Sequence, residues 1–399
     1  MKKALLVTHV SGFVPQFEMN NVRLLQELGY EVHYASNFQN VSYGADNQRL
    51  EGTGIICHQV DFARSPFDFK SNLCAYRQLN KILKEQYFEL VHCHTPVGAT
   101  YARIAARKYR RLGTKVCYTA HGFHFYKGAP LKFWMVSYPV EWLLAHITDV
   151  IITLNEEDFQ NAKKFHLGGQ KKQGEGVYKI DSVGIDLMKY QSSAMEEEIA
   201  KIKIRTELVI PKDSFLLVSV GELNWNKNHT VVVKALGHLQ ELGIYYVICG
   251  EGIEKIPLQE QAKDFGIENQ IKLPGFRQDI PDILKAADAM VFPSLREGLG
   301  LVAVESLASG VPVIASDNRG TREYMIDGVN GYVVWNNTAE EIAEAIKRLY
   351  FMWNDDKPAY QKMQESCLET AKRFASNRVN KTMQEIYRKE CMKIQEELQ

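Results

Sequence analysis

Short apolar runs alternate with longer amphipathic segments along most of this chain. In the first half, the apolar runs predict strands at residues 4–8, 31–35, 55–60, 90–93, 115–119, 150–154 and 178–183. The segments between them, such as 19–28, 71–85 and 98–112, repeat apolar residues at the spacing of one helix face. Alternation of this kind predicts a mostly parallel, doubly wound α/β sheet.

A second alternating series begins after a change of composition. Past Gly184 the strand pattern stops, and residues 192–198 are polar and acidic. Strands are then predicted at 215–220, 246–249, 271–273, 289–292 and 313–315, and a helix is predicted at 230–242. Because 399 residues exceed the size of one ordinary core, we expect two Rossmann-like domains, at 1–186 and 187–378, and a polar helix at 379–399.

Composition narrows the class of protein. The 48 basic and 48 acidic side chains balance, so no overall charge favours a nucleic-acid partner. Seven scattered cysteines include no Cys-x-x-Cys pair, which favours reduced, buried thiols. The apolar stretch at the N-terminus is too short for a signal peptide, and no uncharged run approaches the roughly 20 residues that span a bilayer. We therefore expect a cytoplasmic protein.

The stretch from 293 to 305 carries the strongest chemical signal. A predicted buried strand leads into a glycine-bearing turn, and a predicted helix over 301–308 follows. The first turn of a helix offers unpaired amides and a positive dipole end to an anion. Gly298 and Gly300 allow a ligand to approach the backbone, and Glu297 and Glu305 stand eight residues apart. Their carboxylates can accept hydrogen bonds from the hydroxyls of one extended ligand. Without other evidence, an ordinary turn with two solvated glutamates explains the stretch equally well.

Other strand ends of the second half carry residues suited to the same ligand. In open α/β sheets, ligands bind at the carboxyl ends of the strands. Lys227 can neutralise a diphosphate, and the backbone around Phe276 can hold the edge of a base. The strand-end glycines, which let a ligand approach the backbone, are Gly221, beside Glu222, and then Gly250 and Gly252.

The spacing Glu-x7-Glu, with Glu-Gly-Leu-Gly-Leu inside it, resembles the donor-sugar signature of retaining glycosyltransferases of family 4. The resemblance covers nearly the whole chain. It implies the GT-B fold, in which two Rossmann-like domains face each other across a cleft and the last helix crosses back to the first domain. It also implies that Glu305 binds the ribose of a nucleotide-sugar donor. The sugar to be transferred is then held by Glu297 and by the amides of Gly298, Leu299, Gly300 and Leu301.

One position departs from the family pattern. The family places an arginine and then a lysine after the first strand of this domain, and both bind the donor diphosphate. Lys227 matches the lysine, whereas Glu222 stands at the position of the arginine. A carboxylate there repels phosphate unless another cation intervenes, and Arg296 is the candidate for that compensation.

Two elements of the first half also resemble the family. The segment Thr119-Ala120-His121-Gly122 is similar to an element of capsule and exopolysaccharide members, whose histidine faces the donor sugar. A turn that lies near donor and acceptor in the family keeps only Gly12 of its glycine pair. For His121, a structural role inside the first domain is an equally good explanation.

A metal site is the less favoured interpretation of the first-half histidines. His92 and His94 lie on one strand face, a spacing that permits a metal pair, but no third ligand has a suggestive spacing. No Asp-x-Asp motif occurs either. We therefore expect no metal and no cofactor besides the nucleotide-sugar substrate.

A basic stripe predicts contact with anionic lipid. Arg103, Arg107, Arg110 and Arg111 follow helical spacing, and an aromatic-rich segment from 123 to 142 lies nearby in sequence. The hypothesis is that the arginines attract the inner face of the cell membrane and that aromatic side chains insert. A solvated helix face beside a core aromatic cluster is the alternative.

The residues and the resemblance together favour a retaining glycosyltransferase. The expected donor is a nucleotide sugar, most commonly a UDP-sugar in this family, and the expected acceptor is a lipid-linked saccharide in capsule or exopolysaccharide synthesis. No residue is assigned as nucleophile, because the family resembles a front-face substitution in which the leaving phosphate takes the acceptor proton. The alternatives are a nucleotide-sugar epimerase or hydrolase of the same fold, and a non-catalytic partner of a polysaccharide assembly complex.

Overall fold

Two parallel sheets organise the chain. The computed structural model describes residues 1–43, 47–168 and 172–391. The chain divides into a first unit, Met1–Gly184 with the segment that begins at Ser376, and a second unit, Ile185–Ala375. The boundaries predicted from the sequence, after 186 and after 378, lie two and three residues beyond those of the structure, which fall at 184 and 375.

The sheet of the first unit has seven strands within the described residues, in the order β3-β2-β1-β4-β5-β6-β7. They are β1 (Lys2–Val7), β2 (Tyr30–Ser36), β3 (Ile56–Gln59), β4 (Leu90–Cys93), β5 (Lys115–Ala120), β6 (Val150–Thr153) and β7 (Val177–Lys179). Neighbouring strands pair in parallel throughout. The chain moves outward to β3 and then returns to the other side of β1, so the sheet has its switch point between β1 and β4.

The helices of the first unit cover a sheet that is buried along most of its strands. They are α1 (Met19–Glu27), α2 (Phe69–Glu85), α3 (Pro96–Ala106), α4 (Leu131–Ala145) and α5 (Glu156–Ala162). A π-helical turn, Val14–Glu18, directly precedes α1. The helix predicted over 98–112 is shorter in the structure, because α3 ends at Ala106 and a 3-10 turn ends at Gly113 with a φ of 106°.

The sheet of the second unit has six strands in the order β10-β9-β8-β11-β12-β13. They are β8 (Leu216–Val220), β9 (Tyr245–Cys249), β10 (Ile271–Gly275), β11 (Ala289–Phe292), β12 (Val313–Ser316) and β13 (Gly331–Val334). The first five match predicted strands, whereas β13 was not predicted. The switch point lies between β8 and β11, so the loops after these two strands meet at one edge.

The helices of the second unit begin inside the region that the sequence marked only as a junction. They are α6 (Ala194–Glu207), α7 (His229–Gly237), α8 (Lys255–Asp264), α9 (Ile280–Ala286), α10 (Leu301–Ala308), α11 (Ala339–Asp355) and α12 (Lys357–Ala371). Ser193 and Glu196 form a capping box, in which each satisfies an unpaired amide of the other, and this box starts α6. The acidic run that interrupts the strand pattern is therefore the first turn of a helix.

The final helix of the described chain, α13 (Ser376–Ile386), belongs to the first unit. Asn20 Nδ2 donates a hydrogen bond to Ser376 Oγ at 3.3 Å. In the π-helical turn that follows α13, the hydroxyl of Tyr387 lies 2.8 Å from His92 Nδ1 in the core. The chain thus returns to the first unit after completing the second, as the family resemblance implies.

The prediction of a basic, solvent-facing stripe along α3 is wrong for two of its four arginines. Arg103 is fully buried, forms two hydrogen bonds to the Glu141 carboxylate at 2.7 and 3.1 Å, and lies over the Tyr118 ring. Arg110 forms a similar pair with Asp149 at 2.8 and 3.0 Å. Helical spacing placed them on one stripe, but nearby carboxylates hold both guanidinium groups. Of the four, Arg107 and Arg111 are exposed.

The aromatic segment that follows β5 divides between core and surface. Phe123 and Phe125 are buried, and the Trp134 ring packs against Phe125. Helix α4 instead exposes six large apolar side chains, namely Leu131, Met135, Val136, Val140, Trp142 and Leu143. Among the helices of the described residues, none is both long and apolar enough to cross a membrane.

Glu141→Gln is expected to destabilise the protein by about 3–5 kcal/mol, because it leaves the buried Arg103 charge without its counter-ion. Glu198→Gln is the matched control, since Glu198 pairs with Lys212 at an exposed site where both side chains are more than half exposed, at 53% and 77%. The control is expected to cost less than about 1 kcal/mol. Denaturant unfolding of both variants measures the difference, and equal midpoints would contradict the assignment of a buried ion pair.

Candidate active site

The turn between β11 and α10 is shaped by one glycine. Gly300 caps α10 in the left-handed region, with a φ of 86°. A Cβ atom at Gly300 would lie 2.6 Å from the Phe292 ring and 3.0 Å from the Tyr324 hydroxyl. Both the backbone conformation and the space therefore require glycine here. The turn delivers the chain directly into Leu301, the first residue of α10.

The residues before Gly300 hold this turn in place. The Leu299 side chain is buried, and a Cβ atom at Gly320 would lie 2.8 Å from the Leu299 carbonyl oxygen. The guanidinium of Arg319 donates a hydrogen bond to the Glu297 carbonyl at 3.2 Å. The amides of Gly298 to Leu301 thus lie on a fixed backbone next to the N-terminus of a helix, which favours an anion.

Lys227 and Glu297 form the central ion pair of the second unit's site. Lys227 Nζ lies 2.7 Å from Glu297 Oε1, and the two side chains are 20% and 14% exposed. The ammonium group also lies 5.2 Å from the centre of the Phe292 ring. A Cβ atom at Gly221 would approach Lys227 Cε to 3.1 Å, so Gly221 leaves room for the lysine stem. The structure therefore brings the predicted residues Gly221, Lys227 and Glu297 together.

The glycine pair after β9 has a packing role. A Cβ atom at Gly250 would lie 1.8 Å from the Gly221 carbonyl oxygen, and one at Gly252 would lie 2.2 Å from that of Leu223. The two glycines allow the loops after β8 and β9 to approach each other closely. Contact of Gly250 and Gly252 with the donor stays a prediction.

Glu305 has a partner that the sequence did not indicate. The side chain of Tyr190, which follows the 3-10 turn Leu187–Lys189, interacts with the Glu305 carboxylate. Burial raises the pKa of Glu305, and the Tyr190 hydroxyl opposes that rise. Burial and the neighbouring carboxylate raise the pKa of Tyr190 far above its ordinary value, so this hydroxyl keeps its proton. In the sequence, Tyr190 stands out as the single aromatic residue in the segment between the two predicted domains, and this could have marked it.

The remaining predicted residues of the second unit lie at the same sheet edge. Phe276 follows β10 and is half exposed. The Arg296 carbonyl accepts a hydrogen bond from Asn226 Nδ2 at 3.0 Å, which ties its loop to the loop of Lys227. The Glu222 side chain is exposed. Roles of Phe276, Arg296 and Glu222 toward the donor stay predictions.

The first unit gathers histidines where β4 and β5 end. His121 Nε2 lies 3.2 Å from His94 Nδ1 and 3.3 Å from Glu18 Oε1. The Phe13 ring packs edge-on against His121 at 4.9 Å. Burial lowers the pKa of His94 well below its ordinary value, so this imidazole is neutral at neutral pH. The sequence did not single out Glu18, which the π-helical turn carries into the core.

His92 and Gly12 both have contacts within the first unit. Both ring nitrogens of His92 are engaged, by Tyr387 and by Thr119 at 2.8 Å each, so His92 and His94 do not form a metal pair. Gly12 donates its amide to the Val41 carbonyl at 2.8 Å, and a Cβ atom there would lie 1.8 Å from the Ser42 carbonyl oxygen. Gly12 is thus needed for loop packing, and its contact with a donor stays a prediction.

Comparison with known proteins identifies the family. A model described as "Glycosyl transferases group 1" matches residues 200–373, and one described as "Glycosyl transferase 4-like" matches residues 2–154. EpsD of Bacillus subtilis (strain 168), a glycosyltransferase by name, is 37% identical over 97% of this chain and 96% of its own length. The chain belongs to glycosyltransferase family 4.

Other relatives of this glycosyltransferase agree with that assignment. The Escherichia coli UDP-Gal:alpha-D-GlcNAc-diphosphoundecaprenol alpha-1,3-galactosyltransferase is 28% identical over 79% of this chain and 77% of its own length. Anabaena HepE in complex with UDP-glucose has a TM-score of 0.78 at 20% identity, covering 98% of this chain and 100% of its own. The lipopolysaccharide glycosyltransferase WaaG has a TM-score of 0.72 at 17% identity, covering 96% and 99%. These likenesses show the GT-B fold.

Gly300→Ala is expected to destabilise the glycosyltransferase by about 2–3 kcal/mol, because the added Cβ atom meets both positive φ and the Phe292 ring. Gly328→Ala is the control, since Gly328 has a φ of 73° but nothing within 4 Å of the added atom. Strain alone is expected to cost that variant about 1 kcal/mol. Thermal unfolding compares the two. If Gly300→Ala were no less stable than Gly328→Ala, the close approach at the turn would not matter.

Proposed function

We propose that this glycosyltransferase is a retaining hexosyltransferase that moves a sugar from a UDP-sugar to a lipid-linked saccharide in capsule or exopolysaccharide synthesis. The observation that carries the proposal is the Lys227–Glu297 ion pair beside the N-terminus of α10, with Glu305 on that same helix. A cation, helix amides and two carboxylates are the groups that a diphosphate, a sugar and a ribose need. The UDP-bound HepE structures and the undecaprenol-linked acceptor named for the E. coli relative support the choice of substrates.

The ion pair accounts for how the site accepts a dianion. Lys227 is neutralised by Glu297 at 2.7 Å before the donor binds. A diphosphate would attract the lysine, and the Glu297 carboxylate would then be available to accept hydrogen bonds from the sugar hydroxyls. Lys227, the amides of Gly298 to Leu301 and the dipole of α10 would stabilise the charge that develops on the leaving diphosphate. We propose that these groups compensate the negative charge of the diphosphate and that no metal ion is bound to it.

In the proposed reaction, the bond between the sugar anomeric carbon and the diphosphate oxygen breaks. The acceptor hydroxyl attacks from the same face, which retains the configuration, and its proton passes to the leaving phosphate. His121 would hold the donor sugar from the first unit, and Glu305 would bind the ribose. These roles follow the family resemblance.

The first experiment is a thermal-shift screen of nucleotide sugars, followed by transfer to lipid-linked saccharides. Glu305→Ala is expected to raise the KM for the donor by at least 10-fold, since it removes a hydrogen bond made by a charged group. His121→Ala is expected mainly to lower kcat. Full activity in both variants would contradict the site, and turnover of the donor without any acceptor would favour an epimerase or hydrolase.

Tyr190→Phe tests the new partner of Glu305. Burial raises the pKa of Glu305 and the Tyr190 hydroxyl lowers it, so the variant is expected to raise that pKa further. More of the carboxylate is then protonated as the pH falls, and the donor KM should rise more steeply toward acid pH than in the wild type. Kinetics between pH 5 and 8 measure the effect. Parallel pH profiles of the two proteins would contradict a positioning role for Tyr190.

We also propose that the first unit docks on anionic membrane through α4 and the end of α3. Helix α4 exposes Leu131, Met135 and Trp142, and these side chains are 72%, 68% and 42% exposed. Helices α3 and α4 pack against each other, and Arg107 and Arg111 are exposed next to the end of α3. Apolar insertion and basic attraction together give stable peripheral binding.

Sedimentation with anionic liposomes tests the docking proposal. Met135→Asp and the double variant Arg107→Glu/Arg111→Glu are expected to bind at least 10-fold more weakly than the wild type. Lys81→Glu/Lys212→Glu is the charge-matched control, because both lysines are 77% exposed and lie elsewhere on the chain. Equal loss in the control would point to overall charge, and no loss in either test variant would contradict the proposed surface.

A further inference from the structure

Three metal-ligand side chains of the first unit converge on one point. His94 and His121 follow β4 and β5, which are neighbours in the sheet, so their ring nitrogens meet at its edge. Glu18 ends the π-helical turn before α1 and is fully buried. Such turns are rare and occur often at functional sites. Within the described residues, this is the one group of histidine, cysteine and carboxylate side chains whose ligand atoms cluster tightly enough to hold an ion.

The spacing of the three atoms matches a tetrahedral metal site. His94 Nδ1 and His121 Nε2 are 3.2 Å apart, and Glu18 Oε1 lies 3.4 Å from the first and 3.3 Å from the second. Ligands that bind zinc at about 2.0–2.1 Å in tetrahedral geometry are separated by about 3.3 Å. We propose that Glu18, His94 and His121 bind a divalent transition-metal ion, with Zn²⁺ as the best match. Two histidines and one carboxylate are a common ligand set for such ions.

One oxygen of the buried Glu18 carboxylate faces both imidazoles at ion-pair distance. Glu18 Oε1 is buried and has no hydrogen-bond partner, although two imidazole nitrogens lie within 3.4 Å of it. A buried carboxylate oxygen left unpaired is costly. The other oxygen, Oε2, accepts a hydrogen bond from Asn21 Nδ2 at 2.6 Å. Asn21 thus orients the carboxylate and leaves Oε1 directed toward the two histidines, as an outer-shell residue does at metal sites.

A second cluster in the same unit shows what an ordinary hydrogen-bonded group looks like. His33 Nε2 lies 2.8 Å from Glu31 Oε1, and His33 Nδ1 lies 2.8 Å from His58 Nε2. These three side chains form a chain in which His33 is central and both of its nitrogens are used. Their ligand atoms do not converge, so the same residue types do not make a metal site there.

The ion would have two consequences for the first unit. It would neutralise the buried Glu18 carboxylate, and it would fix the His121 ring through Nε2. Three protein ligands leave one position of a tetrahedral ion open. The side chains of Glu18 and His94 are 0% exposed, and that of His121 is 23% exposed. This inference goes beyond the proposed transfer reaction and does not depend on it.

Calorimetric titration of the untagged protein of residues 1–399 with Zn²⁺, after dialysis against a chelator, tests the site. Mass spectrometry of the metal content after desalting gives the stoichiometry. One Zn²⁺ per chain is expected at this site. Glu18→Gln and His121→Asn are expected to weaken its binding at least 100-fold, and Asn21→Ala about 10-fold, as for outer-shell residues. His121 is partly exposed, so its variant tests the site even if the Glu18 variant folds poorly.

His58→Ala is the matched control, because it removes a histidine from the hydrogen-bonded cluster of the same unit. It is expected to keep the Zn²⁺ affinity of the wild type, and circular dichroism verifies that each variant folds. Replacement by Co²⁺ is expected to give the strong visible absorption of a tetrahedral site, and this absorption should vanish in Glu18→Gln. Unchanged Zn²⁺ binding in Glu18→Gln and His121→Asn, or no bound Zn²⁺ in the wild type, would overturn the proposal. All measurements are made without donor, so they fail or succeed independently of the transferase assay.

Discussion

The second unit depends on the contact between Lys227 and Glu297 across the switch point of its sheet. These residues are far apart in the chain, yet β8 and β11 are neighbours, and their carboxyl ends place the two side chains 2.7 Å apart. The pair lies against the Phe292 ring and is largely shielded from water. It ties two loops together and places a cation and an anion at the strand-end edge, where open α/β sheets bind their ligands. The parallel order of the strands makes this contact possible.

Close backbone packing supports that edge more than the sequence indicates. Gly221, Gly250 and Gly320 each leave space that a neighbouring backbone or the Lys227 stem occupies. Glycines of a family signature are easily interpreted as space for a ligand, but here several serve to bring loops together. The ligand-binding geometry then follows indirectly, because the loops that carry Lys227 and Glu297 have fixed positions.

Buried charged side chains have different kinds of partners in the two units. In the second unit, Lys227 and Glu297 neutralise each other, and the Tyr190 side chain interacts with Glu305. In the first unit, Arg103 and Glu141 form a complete buried pair, whereas Glu18 has one oxygen without a hydrogen bond. This buried Glu18 oxygen faces two imidazoles, and such an oxygen marks a place where a ligand or ion is expected. His121, the histidine proposed to contact the donor sugar, provides one of these two imidazoles.

The sequence by itself determined the fold class, the positions of most strands along the chain and the family. The alternation of apolar runs predicts parallel strands with crossover helices, and the Glu297 to Glu305 spacing spans one local turn and the start of one helix. Tertiary structure alone decided the partners. Arg103 and Arg110 share the predicted helical stripe with Arg107. In the structure, however, each pairs with a carboxylate distant in sequence, Arg103 with Glu141 and Arg110 with Asp149. Glu18 and Tyr190 carry no motif, and only the packing of a π-helical turn and of a junction segment brings them to His121 and Glu305. Periodicity fixes which face a side chain takes, whereas contacts between distant segments fix what that face meets.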